Sequence, residues 1–128
     1  MSSLLGKLKP EIKARWRAAL ESKKYPQCTG RLRSGAGFCC LGVLGDLAVE
    51  DGVASWDGWS LTVKATAQAE LNSFPGSLLK WAFEVEPDFP IDTNNFHYST
   101  DLEQECLTKI NDSGLTFPEI SKLIEQHF

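Results

Sequence analysis

The stretch Ser34–Gly52, SGAGFCCLGVLGDLAVEDG, places two adjacent cysteines after a glycine-rich turn and at the start of an apolar run. From Cys39 onward its apolar residues point in all directions around a helical cylinder, which is typical of a buried helix. We therefore predict a buried central helix over 39–49. Because glycine is a poor helix former, Gly42 and Gly45 predict that another element packs closely against this helix, where a Cβ would clash.

Helices are also predicted near both ends of the chain. Proline suits the first turn of a helix, and apolar residues at helical spacing predict an amphipathic helix over Pro10–Ser22. In the C-terminal third, Thr100 with Glu103 and Thr116 with Glu119 match the capping-box pattern that opens a helix. These two patterns predict consecutive helices, which together form a C-terminal αα-hairpin.

The middle of the chain carries weaker signals. Residues 53–63, VASWDGWSLTV, are interpreted as a loop followed by a short strand, and the alanine-rich residues 64–71 as a helix. Residues 84–99 are interpreted as a long polar loop. We therefore predict a mainly α single domain over 1–128, with room for one small β-hairpin and with α+β as the alternative class.

The composition is that of an ordinary globular protein, since 42% of the 128 residues are apolar and 23% are charged. Apolar runs fall short of a membrane span, and the first residues lack the features of a secretory signal. We therefore expect a cytoplasmic protein without membrane contact. In that compartment the four cysteines are expected to be reduced thiols.

Charge is distributed unevenly along the chain. Residues 1–40 contain nine Lys/Arg and two Asp/Glu, whereas residues 41–128 contain four and fifteen, so the two segments carry +7 and −11. One interpretation is a basic face and an acidic face, each of which could dock a partner of opposite charge. The other is that the opposite charges neutralise each other in the folded chain.

The adjacent cysteines have two interpretations. At a helix N-terminus the pKa of Cys40 could be lowered, which would make its thiolate a nucleophile with His97 as base and Asp101 or Asn111 as the orienting residue. Alternatively, Cys39 and Cys40 are small apolar side chains that fill tight gaps in the core. Because no wider catalytic signature surrounds the pair, we favour packing and keep a cysteine hydrolase as an alternative.

Several polar, basic and aromatic residues in predicted turns and loops are candidates for binding. Exposed tryptophans can stack on a ligand, a base or a partner, and arginines can bind phosphate. Each residue also has a structural interpretation, such as covering the core or ending a helix. The candidates are Tyr25, Gln27, Arg31, Arg33, Trp56, Trp59, Asn111 and Asp112. The cysteines and histidines lack the spacing of a zinc site, so we predict neither a metal nor a cofactor.

Residues 16–48, which include the run CCLGVL, and residues 107–128, which include NDSGLTFPEI, form two distinctive segments. Together they resemble a family of short proteins from tailed bacteriophages, prophages and bacteria. Members of that family often carry a further cysteine where this chain has Gly45. The resemblance implies a phage origin and action in the cytoplasm of a bacterial host, and it implies no particular activity. The matching positions are Trp16, Ala19, Leu20, Tyr25, Gln27, Gly30, Leu32, Cys39–Leu44 and Asn111–Ile120.

These observations lead us to expect a binding protein that is not an enzyme. It would modulate a host bacterial component, in defence or regulation, by protein–protein contact or by sequestering a small nucleotide-like ligand. A further alternative is nucleic-acid binding through the basic N-terminal face, Lys7–Lys24 with Arg31 and Arg33. The last helix is a poor candidate for insertion into a DNA groove, because Glu119 and Glu125 would be repelled by the phosphates. The sequence leaves the oligomeric state open.

Overall fold

The computed structural model describes residues 8–35, 37–71, 74–83, 97–99 and 104–128. Within them the helices are α1 (Pro10–Glu21), α2 (Cys40–Glu50), α3 (Leu79–Ala82), α4 (Leu107–Asp112) and α5 (Phe117–His127), and a 3₁₀ turn spans Gly76–Leu78. The strands are β1 (Arg33–Ser34), β2 (Gly37–Phe38), β3 (Ala54–Asp57), β4 (Ser60–Val63), β5 (Ala69–Glu70), β6 (His97–Ser99) and β7 (Gln104–Cys106). The strands form three antiparallel sheets, β1–β2, β3–β4–β5 and β6–β7.

The chain is an α+β protein, so the predicted mainly α class is wrong. The structure is 47% helical and 19% strand. The short strand predicted at the end of residues 53–63 is present as β4. The largest error lies beside it, where β3 replaces part of the predicted loop and β5 replaces part of the helix predicted over 64–71. Ala69 pairs with Thr62 of β4, so pairing with the preceding strand overrides the helix propensity of alanine in this short segment.

The predictions for α1, α2 and α5 are confirmed. The central helix spans Cys40–Glu50 with Cys39 as its N-cap, within one residue of the predicted range. At the start of α5, the Glu119 carboxylate accepts hydrogen bonds of 3.0 Å from both the backbone nitrogen and the hydroxyl of Thr116. The Thr116 side chain in turn accepts from the Glu119 backbone nitrogen, and the two residues form the predicted capping box.

The helix predicted to open at Thr100 begins later. Residues 104–106 form β7, which pairs with β6, and α4 starts only at Leu107. Thr100 and Glu103 themselves lie outside the described residues. Two consecutive helices, α4 and α5, nevertheless follow each other and are in contact, as predicted.

The core is built around α2. Its residues from Cys40 to Ala48 are buried, apart from the partly exposed Asp46. The fully buried Trp16 of α1 donates a hydrogen bond of 2.9 Å from its Nε1 to the Cys40 carbonyl oxygen. One cluster of buried apolar side chains extends from Leu8 to Phe128, so both ends of the described chain pack around this helix.

Close packing at the two glycines of α2 is confirmed. A Cβ at Gly42 would lie 1.8 Å from the carbonyl oxygen of Leu32, and a Cβ at Gly45 would lie 2.6 Å from Cδ2 of Leu61. The first neighbour is backbone, which cannot move without shifting the chain. The second is the end of a side chain, which can adjust its rotamer.

We predict that Gly42→Ala lowers the free energy of unfolding by at least about 3 kcal/mol, because the new methyl group would displace the backbone at Leu32. Gly45→Ala should cost about 1 kcal/mol or less, since the helix propensity of alanine partly offsets the adjustment of Leu61. Urea denaturation of both variants measures the difference. Equal losses at the two positions would contradict this description of the packing.

Candidate binding site

An arginine surrounded by aromatic rings lies at the contact between the β1–β2 hairpin and the β3–β4–β5 sheet. The Cζ atom of Arg33 is 5.3 Å from the ring centres of Phe38 and Trp56 and 5.5 Å from that of Trp59. Distances of this size are typical of cation–π contacts. The arginine–aromatic site is defined here as Tyr25, Arg33, Phe38, Asp46, Trp56 and Trp59.

The two hairpins bring these side chains together. Arg33 and Phe38 are directly paired across β1 and β2, so their side chains share one face of the ribbon. Gly58 and Trp59 form the two-residue connection between β3 and β4, where Gly58 has the positive φ of 65° that a tight hairpin turn requires. The turn leaves the Trp59 side chain 41% exposed.

Asp46 attaches the site to the central helix. One of its carboxylate oxygens accepts a hydrogen bond of 2.6 Å from the Tyr25 hydroxyl, and the other accepts one of 3.1 Å from Nε1 of Trp56. Burial, followed by the hydrogen bond to Asp46, raises the pKa of Tyr25. Phe38 packs edge-on against both Tyr25 and Trp56, so the rings form a continuous layer above α2.

The Arg33 guanidinium lacks a polar partner at one position. Its Nε atom is buried and has no hydrogen-bond partner within the described part of the chain. Arginine presents five N–H donors, and a buried donor without an acceptor costs free energy.

The basic residues of α1 form ion pairs with acidic residues at the C-terminal end of α2 and in α5. A guanidinium nitrogen of Arg15 lies 3.0 Å from a carboxylate oxygen of Asp51. A guanidinium nitrogen of Arg17 lies 2.7 Å from a carboxylate oxygen of Glu125. Lys13 also pairs with Glu125, at 3.8 Å. Much of the charge asymmetry along the sequence therefore disappears in the folded chain.

The cations of the following segment differ from those of α1. Across the residues that the structure describes, Lys23, Lys24, Arg31 and Arg33 form no salt bridge. Lys24 instead lies over the Tyr25 ring, with Nζ 5.4 Å from its centre. Arg31 is exposed and lies outside the ring layer. Arg33 and Lys24 are therefore the two unpaired cations that contact the rings of the arginine–aromatic site.

Three other predicted binding residues form a separate polar network. The side chain of Asn111 is fully buried, and its oxygen accepts hydrogen bonds from the Cys40 backbone nitrogen at 3.2 Å and from Nε2 of Gln27 at 2.9 Å. Its Nδ2 donates to the Cys28 carbonyl at 2.8 Å, while Asp112 accepts from the Gly30 nitrogen. These hydrogen bonds connect the turn before β1 to the start of α2, so Gln27, Asn111 and Asp112 stabilise the fold.

The cysteine pair has the properties of packed thiols. Cys40 is 0% exposed, its Sγ donates to the Leu107 carbonyl at 3.6 Å, and burial raises its pKa well above the usual value. Burial also raises the pKa of Cys39, to about 12. An activated nucleophile requires the opposite shift. The backbone of His97 lies in β6, whereas its side chain and Asp101 are outside the described residues.

The described residues contain neither a cluster of metal ligands nor a membrane-spanning helix. Within the described ranges, no group of three or more His, Cys, Asp or Glu residues is arranged to hold a metal ion. None of the helices in these ranges has both the length and the apolar character that crossing a membrane requires. The arginine–aromatic site is therefore the main cluster of candidate binding residues in this α+β domain.

The chain belongs to the family described as Domain of unknown function (DUF8296), which matches residues 8–128. A comparison with curated proteins finds no match, and neither does a comparison with solved structures.

Sequence reasoning identified Tyr25, Arg33, Trp56 and Trp59 but missed the two residues that join them. Asp46 is the one charged residue in an otherwise apolar stretch of α2, and that contrast could have marked it as a functional or anchoring group. Phe38 follows a glycine-rich turn, and only the pairing of β1 with β2 shows that it lies beneath Arg33.

We predict that Cys39 and Cys40 resist maleimide in the native protein at pH 7 and react after denaturation, because burial keeps both thiols protonated and inaccessible. The partly exposed Cys28 should react first of the three. Peptide mapping by mass spectrometry measures labelling at each position. Rapid native labelling of Cys40 would contradict the packing interpretation and support the hydrolase.

We also predict that Asn111→Ala lowers the free energy of unfolding by about 3 kcal/mol, because it leaves buried backbone groups at Cys28 and Cys40 without partners. Asp112→Asn is the matched control. It retains an oxygen for the Gly30 nitrogen at an exposed position, so the change should stay within about 0.5 kcal/mol. Urea denaturation compares the two, and a loss for Asn111→Ala as small as the one expected for Asp112→Asn would contradict the structural role of the network.

Proposed function

We propose that this protein is a phage-derived binding protein, not an enzyme, that modulates a host bacterial component by protein–protein contact through the arginine–aromatic site. The observation that carries the proposal is the exposed Trp59 beside Arg33. Across the described residues, Trp59 is the large apolar side chain that remains exposed, at 41%. Tryptophan, tyrosine and arginine supply most of the binding energy at protein interfaces.

The site is also held in place before binding. Asp46 fixes the orientation of Tyr25 and Trp56 through two hydrogen bonds, and Phe38 packs between their rings. A rigid surface loses little side-chain entropy on binding, so more of the contact energy contributes to affinity. The tight β3–β4 turn presents Trp59 as a projection that a recess on a partner could accept.

Charge indicates the chemistry of the partner. Arg33 is partly exposed, and neither it nor the exposed Lys23, Lys24 and Arg31 has a carboxylate partner among the described residues. A carboxylate on the partner would satisfy the guanidinium in a charge-assisted hydrogen bond. The proposed partner surface is therefore an apolar recess with acidic residues at its edge.

The second candidate is sequestration of a small nucleotide-like ligand by the same site. The arrangement of Arg33 next to Trp59 supports this candidate, because a guanidinium can bind phosphate while an exposed indole stacks on a base. Nucleic-acid binding through α1 has less support, since Lys13, Arg15 and Arg17 are already paired with carboxylates.

The test is affinity capture from a bacterial lysate on the immobilised protein, followed by a binding measurement with the purified captured protein. We predict that Trp59→Ala and Arg33→Gln each weaken this binding by about 30-fold, the loss expected at an interface hot spot. Lys122→Gln, a charge change at an exposed position of α5, is the matched control and should bind normally. Thermal melting of each variant confirms that the fold is retained.

A captured protein that binds all variants equally would contradict the proposal. Titration with nucleotides distinguishes the second candidate. Quenching of tryptophan fluorescence that disappears in Trp59→Phe would identify stacking on the hairpin tip and favour sequestration of a nucleotide-like ligand.

A further inference from the structure

A second concave surface lies away from the rings of the arginine–aromatic site. It is a cavity of about 430 Å³ between the end of α2, the β3–β4 hairpin and α3. This volume falls in the range of small-molecule sites and is too small for a helix or a folded partner. Its lining residues are Gly52, Val53, Val63, Lys64, Ala65, Ser77, Leu78 and Trp81.

The walls of the cavity are apolar and fixed. Val63 and Leu78 belong to the core, with exposures of 3% and 1%. The Lys64 nitrogen donates a backbone hydrogen bond of 3.1 Å to the Val53 carbonyl, which holds the two edges of the hairpin together. Trp81 donates from Nε1 to Asp51 at 3.0 Å, so its indole is oriented from outside the cavity.

The charge at the rim is positive. The Lys64 side chain is exposed and forms no salt bridge with any described residue. Asp51 accepts a hydrogen bond from the lining residue Trp81, and the charge of this carboxylate is compensated by Arg15 at 3.0 Å. Hydrogen bonding to Arg15 lowers the pKa of Asp51, so this carboxylate stays ionised and paired.

We infer that this cavity binds a small carboxylic acid with an apolar body. The carboxylate pairs with Nζ of Lys64 at the rim, and the apolar body packs against Val53, Leu78 and Trp81. Apolar walls with one well-placed charge are the usual composition of a small-molecule site, in which the walls give affinity and the charge gives orientation. The inference is independent of the arginine–aromatic site, because the two sites share none of their residues.

The experiment uses octanoate and octan-1-ol as probes, followed by methyl NMR of Val53, Val63 and Leu78. Octanoate should shift these signals and quench Trp81 fluorescence at millimolar concentration. Lys64→Met keeps the apolar stem and removes the charge, so it should weaken octanoate binding about fivefold, as expected for an exposed ion pair, and leave octan-1-ol binding unchanged. Lys80→Met, at an exposed position of α3 outside the lining, is the matched control and should bind normally.

Two results would overturn the inference. The first is the absence of any shift in the lining methyl groups with octanoate. The second is equal octanoate binding by Lys64→Met and the unmodified protein, which would show that the groove does not recognise the carboxylate. Val53→Phe fills the cavity from one wall and should abolish binding of both probes, provided that its melting temperature shows a folded protein.

Discussion

The contact between Gly42 and the backbone of Leu32 sets the position of the segment that precedes the central helix. A hydrogen atom in place of a side chain lets α2 approach the Leu32 carbonyl, which also accepts a hydrogen bond of 3.0 Å from the Cys39 nitrogen. The Leu32 nitrogen in turn donates to the Leu71 carbonyl, beside the second sheet. Because Arg33 is the next residue, this contact also determines where the guanidinium meets the aromatic rings.

The start of α2 depends on a residue far along the chain. The first backbone nitrogen atoms of a helix lack partners within the helix, and here Asn111 of α4 accepts from the Cys40 nitrogen while Cys39 accepts from Gly42. Every polar atom of the Asn111 side chain is used, as a buried amide requires. The network therefore joins α4 and the turn before β1 to the helix that both surround.

The sequence predicted the parts of the fold that local chemistry determines. The apolar circumference of α2 and the Thr116–Glu119 capping box each depend on residues within one or two turns, and each was confirmed. Gly42 and Gly45 predicted a close neighbour, which was also confirmed, but only the structure identifies the neighbours as Leu32 and Leu61. Most strands were missed because a short strand is stabilised by its pairing partner more than by its own residues: β7 pairs with β6, and alanine-rich β5 pairs with β4. The candidate site was predicted only in part. Residue type marked Arg33 and the tryptophans as candidates, but only the fold shows that their side chains meet.

The geometry of α2 explains why the arginine–aromatic site is rigid. Gly42 and Asp46 are four residues apart and therefore lie on the same face of the helix, one turn from each other. At Gly42 this face contacts the backbone of Leu32. One turn later, the two carboxylate oxygens of Asp46 accept hydrogen bonds from Tyr25 and Trp56. The layer of rings is thus attached next to the tightest contact on the helix, and small displacements of the rings are opposed by the core itself. The partly exposed Arg33 and the exposed Trp59 are the parts of this layer that remain open to a partner.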